Sequence, residues 1–410
     1  MLRAITTRLL LAAMLLWPCT SVVAARAAPG ATTRPPASPV ACPAQVVARQ
    51  HLYLPSLRLN GIAAVSATDV WATGDVSVTT PLTGTRVPLV EHYDGQAWCA
   101  VDARSAAGRQ ALVGASVEWT AGSAGQPWNE RAWAAVAAVP PPAAYGLPDL
   151  DWRAASSSAN VWQAGGNRSA HVRVEHWDGR RWLPVASHGA ELDLASLDIG
   201  PLATPSAADA WLLTGVGGGG SGSDILHWDG RQWHIVPVAW PQPPGLDDLL
   251  AQEQCTGGGA VYLYLSAIAV VSPGDVWVGA GIGGDYYSGS GVCPVLLHWD
   301  GTSMRVVGVP ASQQHIQLLE QAANGWSIEG LAAVAPHDVW AIGHADSGSA
   351  ALHWDGQRWQ VVAQTVLNIG RLSAQSSTDV WAVATDPANP WNAWHWDGSR
   401  WHLVSAVPIG

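Results

Sequence analysis

Two short alternating runs near the C-terminal end of the chain introduce its main pattern. Residues 338–343 read Asp-Val-Trp-Ala-Ile-Gly, and residues 352–362 read Leu-His-Trp-Asp-Gly-Gln-Arg-Trp-Gln-Val-Val. Alternation of apolar and polar positions is typical of β-strands with one buried face. The Asp-Gly pair at 355–356 favours a type I′ hairpin, because both central residues of that turn need positive φ. The pattern therefore predicts a small unit of antiparallel strands.

This unit recurs along most of the chain. Its first half, Asp-Val-Trp or a close variant, ends at Trp71, Trp162, Trp211, Trp277, Trp340 and Trp381. Its second half, His-Trp-Asp-Gly or His-Tyr-Asp-Gly, begins at His92, His176, His227, His298, His353 and His395. A tryptophan follows three residues after the glycine in every copy but one, where Met304 takes its place. In most copies a serine precedes the first-half aspartate by three residues, as Ser66 does, with Ala335 as the exception.

The number of copies depends on one long gap. Trp71 and Trp162 are 91 residues apart, about two repeat lengths. Within the gap, residues 117–122 resemble the first half of the unit and residues 131–136 resemble its closing strand. We therefore predict seven copies, with six as the alternative. The predicted copies cover 54–102, 103–146, 147–187, 192–240, 258–310, 325–364 and 366–410.

Each copy offers four strands: an apolar strand ending at the serine, the Asp-Val-Trp strand, and the two strands around His-Trp-Asp-Gly. Four strands in about 40 to 50 residues are typical of a β-propeller blade. The first strand, rich in Ala and Gly, suits the crowded innermost place, and the tryptophans would fill the wedges between blades. The repeat resembles the blades of secreted bacterial β-propellers of the kelch and Asp-box type. This resemblance implies an all-β single propeller over 44–410 and no particular activity.

The recurring His, Asp and Trp are interpreted as framework residues, because an active site breaks the symmetry of a repeat whereas these residues keep it. The histidine can bond a neighbouring strand or blade. The aspartates of the Ser-x-x-Asp and Asp-Gly turns can accept local backbone amides.

Departures from the repeat gather on one predicted face, opposite the tight turns. Loops between the second and third strands are long in copy one (75–88) and in copy five (281–294), and Gly-rich in copy four (217–223). Long crossings flank copy five, with short helices predicted at 246–254 and 311–324. Insertions on one face of a repeat protein are often where it binds, and neutral drift is the alternative. The candidate ligand residues here are Asp285, Tyr286 and Tyr287.

Three classes of function remain open. The first is a non-catalytic binding propeller whose partner, a protein or a cell-wall polymer, meets the face around copy five. The second is a lectin, because residues 172–182, Val-Arg-Val-Glu-His-Trp-Asp-Gly-Arg-Arg-Trp, are similar to the blades of fucose-binding propeller lectins. That resemblance implies sugar contacts by Arg173, Glu175 and Trp182.

The third class is an enzyme of the sialidase-like or galactose-oxidase-like kind. The sequence lacks a convergent set of arginines with a tyrosine nucleophile, and we expect the cysteines to be in disulfides. The adjacent carboxylates Asp247 and Asp248 are better explained as caps of a short helix. We therefore predict no catalytic residues and no cofactor.

Charge and composition limit the classes of partner that this chain can bind. The net charge is −11, all 20 basic residues are arginine, and none cluster in sequence. Nucleic acid is therefore not expected, because phosphate contacts need clustered cations. With 25 tryptophans and 48% apolar residues the chain is not of the disordered type. We expect a monomer.

The N-terminus predicts export. Residues 1–27 combine Arg3 and Arg8, an apolar run at 9–16 and an Ala-x-Ala site at 25–27, as in a secretory signal peptide. An uncleaved N-terminal anchor at the cell surface is the alternative, and no span is expected in the mature chain. Residues 28–43 read as a Pro- and Ala-rich linker.

Four cysteines remain after the predicted cleavage. An even number in an exported protein suggests two disulfides, and local pairing fits the repeat boundaries: Cys42 with Cys99, and Cys255 with Cys293. No Cys-x-x-Cys or paired-histidine spacing supports zinc as the alternative.

Overall fold

Six stretches of the chain fold into separate antiparallel sheets in the computed structural model. In each sheet four consecutive strands pair in the order in which the chain reaches them, so the first strand lies at one edge. The structure describes residues 56–79, 84–101, 152–157, 159–167, 170–185, 188–189, 192–193, 199–215, 223–239, 262–283, 292–308, 327–345, 348–365, 369–384 and 392–405.

The strands of the first three sheets follow the predicted repeat. Sheet 1 consists of β1 (Ser56–Ser66), β2 (Asp69–Thr79), β3 (Gly84–Tyr93) and β4 (Trp98–Ala100). Sheet 2 consists of β5 (Trp152–Ser157), β6 (Asn160–Asn167), β7 (Ala170–Trp177) and β8 (Trp182–Pro184). After the short hairpin β9 (His188–Gly189) and β10 (Leu192–Asp193), sheet 3 consists of β11 (Ile199–Ser206), β12 (Asp209–Thr214), β13 (Ile225–Trp228) and β14 (Trp233–Ile235).

The last three sheets continue the pattern with one addition, a parallel fifth strand β15 (Val238–Ala239) at the outer edge of sheet 4. Sheet 4 consists of β16 (Tyr262–Ser272), β17 (Asp275–Gly283), β18 (Val292–Trp299) and β19 (Met304–Gly308). Sheet 5 consists of β20 (Ser327–Ala335), β21 (Asp338–Ala345), β22 (Gly348–Trp354) and β23 (Trp359–Thr365). Sheet 6 consists of β24 (Ile369–Ser376), β25 (Asp379–Ala384), β26 (Asn392–Trp396) and β27 (Trp401–Ser405).

The sheets meet through their first strands. These contacts join β5 to β11, β11 to β16, β16 to β20, β20 to β24, and β24 to β1. The C-terminal sheet 6 therefore packs against the N-terminal sheet 1, and we call this interface the seam. Four-stranded sheets arranged around their inner strands, with the last against the first, form a β-propeller. The predicted fold class is confirmed.

The predicted number of seven blades is not supported. Six four-stranded sheets form in the described part of the chain, which fits the six-blade alternative better. The segment that suggested the additional copy, 117–136, lies outside the described residues, as do the predicted signal peptide, linker and short helices. Among the described residues, no helix has the length and apolar character needed to cross a lipid bilayer.

The two ends of each sheet differ as predicted. The Ser-x-x-Asp turn and the Asp-Gly turn lie together: a Cβ added to Gly356 would be 2.7 Å from His337 Cβ, and one added to Gly95 would be 2.8 Å from Thr68 Cβ. Because the second strand runs away from this end, the turn between the second and third strands lies at the opposite end.

Of the two regions that we predicted as long loops, 75–88 is largely strand and 281–294 is strand at its two ends, with 284–291 outside the described residues. The β2–β3 ladder continues to the pair Thr79 and Gly84, and the β17–β18 ladder continues to Gly283 and Val292. Val76 and Val87 form one of the pairs in the β2–β3 extension. β-Branched residues favour extended backbone, so the first hairpin continues where we predicted a loop.

Candidate functional site

The second-strand tryptophan of each of sheets 2 to 6 is buried between its own sheet and the next. Trp277 of sheet 4 is 1% exposed, and its ring centroid lies 5.6 Å from that of Trp354 and 5.9 Å from that of Trp359 in sheet 5. The same kind of contact joins Trp162 to Trp228 and Trp233, Trp211 to Trp299, Trp340 to Trp396 and Trp401, and Trp381 to Tyr93 and Trp98. The prediction that tryptophans fill the wedges between blades is confirmed.

The aspartate two residues before this tryptophan holds two rings. In sheet 5, Asp338 Oδ1 accepts hydrogen bonds from Trp340 Nε1 at 3.2 Å and from His353 Nε2 at 2.8 Å, while the imidazole stacks on the indole. The arrangement recurs with Asp69, Trp71 and His92, with Asp275, Trp277 and His298, and with Asp379, Trp381 and His395. A carboxylate only accepts, so the imidazole proton lies on Nε2. The aspartate thus bonds side chains rather than the local amides that we predicted.

Sheets 2 and 3 vary this network. In sheet 3, His227 Nε2 lies 3.3 Å from Asp209 Oδ1, without hydrogen-bond geometry, and its ring stacks on Trp211. In sheet 2, Asn160 replaces the aspartate, and its Oδ1 accepts from both Trp162 and His176. Burial lowers the pKa of His176, with a smaller opposing effect from the charge of Asp178.

The Asp-Gly turn holds its shape through its own carboxylate. Asp355 Oδ1 accepts the amides of Gln357 and Arg358 at 2.9 Å each, and Gly356 has φ of +91°. The equivalent glycines, Gly95, Gly179, Gly230, Gly301 and Gly398, have φ between +88° and +93°. The flanking strands pair at Trp354 and Trp359, so the loop has the four residues 355–358, and the predicted type I′ turn with Asp-Gly as its central pair is wrong. The aspartate accepts backbone amides of its own turn, as we predicted.

These turn aspartates are held ionised. Backbone amides lower the pKa of Asp355 and Asp178, and a hydroxyl from Thr302 does so first for Asp300. The second carboxylate oxygen is often contacted by the residue five positions later, as when Asp229 Oδ2 lies 2.9 Å from His234 Nε2. The recurring polar residues therefore have partners within the framework, as expected for residues that stabilise blades.

One buried acid has no such role. Glu91 in β3 is 1% exposed, and its Oε2 has no hydrogen-bond partner. Burial raises the pKa of Glu91 to about 7. Glu91 is not among the site residues that we predicted. The sequence did contain a signal: Glu91 directly precedes the histidine of its copy, a position that is leucine in three other copies, at Leu226, Leu297 and Leu352.

The residues predicted from the lectin resemblance lie on sheet 2. Arg173 and Glu175 are two apart on β7 and so share one face of the sheet. Trp182 pairs with Trp177, which belongs to the same face. Glu175 accepts a hydrogen bond from Gln163, which is fully buried. The register therefore brings the three predicted residues to one face.

The position of Trp182 has a structural role in other sheets. Its counterparts Trp98, Trp233 and Trp359 are 2 to 5% exposed and pack against the tryptophan of the preceding sheet. Trp182 is half-buried and contacts Trp177, with ring centroids 5.8 Å apart and ring planes tilted by 55°.

The remaining predicted site residues are only partly described. Asp285, Tyr286 and Tyr287 lie outside the described residues, between the paired residues Gly283 and Val292. Cys99 in β4 is disulfide-bonded. The pairings of Cys42 with Cys99 and of Cys255 with Cys293 stay predictions, because Cys42 and Cys255 lie outside the described part. Within that part, no three His, Cys, Asp or Glu side chains are grouped to hold a metal ion.

No protein-family model matches this sequence, and no curated protein matches it. Solved structures with a similar fold include the SapL1 lectin in complex with α-methyl fucoside, with 13% identity, a TM-score of 0.40 and coverage of 87% of this chain and 99% of that one. A six-bladed β-propeller lectin from Aleuria aurantia has 12% identity, a TM-score of 0.34 and coverage of 75% and 78%. The β-propeller domain of the Trilobed protease from Pyrococcus furiosus has 8% identity, a TM-score of 0.37 and coverage of 86% and 97%.

Proposed function

We propose that this chain is an exported, non-catalytic β-propeller that binds a partner protein or a cell-wall polymer through the face opposite its tight turns. The supporting observation is the unequal length of the hairpins on that face. The β2–β3 ladder has ten pairs and the β17–β18 ladder has eight, against four for β12–β13. At about 3.4 Å per residue, the first extends roughly 20 Å further than the last and the second roughly 14 Å further.

These extended hairpins break the symmetry that the recurring residues keep. A symmetric framework with elaboration at one end is the usual arrangement of a binding repeat protein. We place the main contact on the sheet 4 hairpin and assign it to Asp285, Tyr286 and Tyr287, which the sequence places between the paired Gly283 and Val292. Tyrosine suits such a surface because it combines a large ring with a polar group.

The first experiment is a glycan and cell-wall polysaccharide array probed with residues 42–410. Its matched variant replaces residues 284–291 by Asn-Gly, since Gly283 and Val292 are paired and a two-residue turn can join them. The control replaces residues 80–83 by Asn-Gly between the paired Thr79 and Gly84.

We expect the sheet 4 replacement to abolish saturable binding and the sheet 1 replacement to keep it. Should the array be blank, the same three proteins are compared for binding to extracellular proteins of the source organism, and again only the sheet 4 replacement should lose the partner. Binding that survives the sheet 4 replacement would overturn this assignment.

A lectin is the second candidate, favoured by the shared face of Arg173, Glu175 and Trp182 on sheet 2. Arginine and carboxylate groups can hydrogen-bond sugar hydroxyls while an indole stacks on the ring. Here Arg173→Ala and Trp182→Ala should abolish binding to a fucosylated glycan, whereas Arg180→Ala on the exposed Asp-Gly turn should not. Unchanged binding by the first two variants would rule the site out.

A further inference from the structure

The seam between sheets 6 and 1 encloses a carboxyl group in apolar surroundings. Glu91 pairs with Ala72 across β3 and β2 and so lies on the face of sheet 1 that carries Ala72. That face packs on Trp381 and Val383 of sheet 6, in a cluster completed by Leu59, Ile62, Ala64, Val70, Trp98 and Ala393. Glu91 is thus a buried acid whose Oε2 is unpartnered, within the contact between the first and last sheets.

The inner strands of the seam are joined by side chains that bond backbone. Ser373 Oγ accepts the amide of Ala64 at 3.1 Å, and Gln375 Nε2 donates to the carbonyl of Ala64. In sheet 5 the register places Ala332 and Val334 where Ser373 and Gln375 stand in sheet 6. Sheet 6 thus attaches to sheet 1 partly through polar contacts that apolar side chains at the corresponding positions of sheet 5 could not make.

The seam also differs in its covalent connection. Sheets 2 to 6 follow one another along the chain, so a crossing segment ties each to the next. Sheets 6 and 1 lie at opposite ends of the described chain, and the bond from Ala64 to Ser373 spans 309 positions. Within the described residues, the contacts that hold the seam are noncovalent.

We propose that Glu91 makes closure of the seam depend on protonation: the neutral acid permits the closed contact, and ionisation loosens sheet 6 from sheet 1. A carboxylate without a charged or hydrogen-bonding partner is costly to bury, whereas the neutral carboxyl is much less so. The propeller thereby carries a pH-sensitive closure at the one interface where its first and last sheets meet.

The charged groups around the seam do not offset the carboxylate. Sheet 6 brings Arg371, which pairs with Val383, and the Asp379 and His395 pair, whose aspartate bonds the Trp381 indole. Sheet 1 contributes Tyr93 and the pair of Asp69 and His92, which are hydrogen-bonded to each other. Burial raises the pKa of Glu91, and none of these groups donates a hydrogen bond to its buried Oε2.

The direction of the effect follows from this raised pKa. Between the ordinary glutamate pKa of 4.5 and about 7, the folded chain holds a proton on Glu91 that the unfolded chain has lost. Stability therefore falls as pH rises through this interval and levels off above it.

The test is denaturant unfolding of the chain at pH 5 to 8.5 for wild type, Glu91→Gln and Glu329→Gln. The amide is isosteric and cannot ionise. The unfolding equilibrium constant of Glu91→Gln should therefore equal that of wild type near pH 5 and be roughly a hundredfold smaller, meaning a more stable protein, at pH 8. Glu329, a half-buried glutamate on β20 in sheet 5, is the control, and its variant should keep the wild-type dependence. Equal pH dependence of Glu91→Gln and wild type would overturn the proposal.

Hydrogen exchange then locates the loosening. After correction for the intrinsic effect of pH, peptides from β1 and β24 of wild type should lose protection between pH 6 and 8 relative to peptides from β16 and β17, and Glu91→Gln should remove this difference. Loss spread evenly over all sheets would contradict a closure device at the seam. Infrared difference spectra should also show a protonated carboxyl band at pH 6 that is absent from Glu91→Gln.

Discussion

Asn160 stands where the other five sheets have aspartate, and its amide group is in use. Its Nδ2 donates to Ser156 Oγ at 2.6 Å and to Thr204 Oγ1 of the next sheet at 3.1 Å. The Thr204 hydroxyl lies 2.8 Å from the carbonyl of Ser206 and 2.9 Å from that of Asp209, to one of which it donates, so toward Asn160 it accepts. A donor is therefore required at position 160.

The exchange Asn160→Asp should destabilise the chain even though it restores the common residue. It removes the donor and sets a carboxylate oxygen against the Thr204 oxygen, at a cost of about 1–3 kcal/mol in the free energy of unfolding. Denaturant unfolding at pH 8 measures this. The double variant with Thr204→Ala should recover part of the loss, and an Asn160→Asp protein as stable as wild type would show that the inter-sheet bond contributes nothing.

At the scale of the element, the Asp-Gly turns share a glycine with positive φ, but they differ in the space available for a side chain at that glycine. All six glycines have φ near +90°, which side chains with a Cβ rarely adopt. A Cβ on Gly356 would also lie 2.7 Å from His337 Cβ, whereas one on Gly301 would be 3.4 Å from Gly274 Cα, an ordinary contact. The two turns therefore separate conformational strain from steric overlap.

Gly301→Ala should cost about 1–2 kcal/mol, the penalty of a left-handed backbone for an L-residue. Gly356→Ala should cost more by about 1–3 kcal/mol, because the turn must also move away from His337. Parallel thermal and denaturant unfolding of the two variants tests the difference. Equal losses would mean that the contact between the two turns is free to yield.

At the scale of the whole molecule, the seam depends on its aromatic cluster, since no chain crossing joins sheets 6 and 1 within the described residues. Trp98 is 3% exposed and meets Trp381 edge-on at 6.1 Å between ring centroids. Tyr93 lies 5.2 Å from the same tryptophan. Large aromatic rings supply most of the apolar area at such a contact.

Trp98→Ala should lower the free energy of unfolding by about 3–5 kcal/mol, the usual cost of removing a buried tryptophan. Trp182→Ala, at the equivalent but half-buried position of sheet 2, should cost clearly less. Far-UV circular dichroism during guanidinium unfolding provides the comparison. If the two variants lose the same stability, the closing tryptophan is not what holds the seam.

Local chemistry made much of this fold predictable. The period-two alternation, the serine and aspartate of the first turn and the glycine of the second are read within ten residues, so strands and turns were located from Asp69 to Trp401. The hairpin ends were missed because ladder length depends on both strands together, as at Val76 and Val87. The turn type was missed because the aspartate side chain bonds the amides two and three residues later and so holds a four-residue loop.

The sequence by itself determined the repeated strands, the tight turns and the tryptophans of the wedges, since each depends on residues close in the chain. Only the tertiary structure decided which sheets are neighbours. It brought Asn160 to Thr204, 44 positions away, Ala64 to Ser373, 309 positions away, and Glu91 into an apolar interface. These features arise from contacts between sheets, and a local pattern cannot specify the surroundings that a distant segment provides.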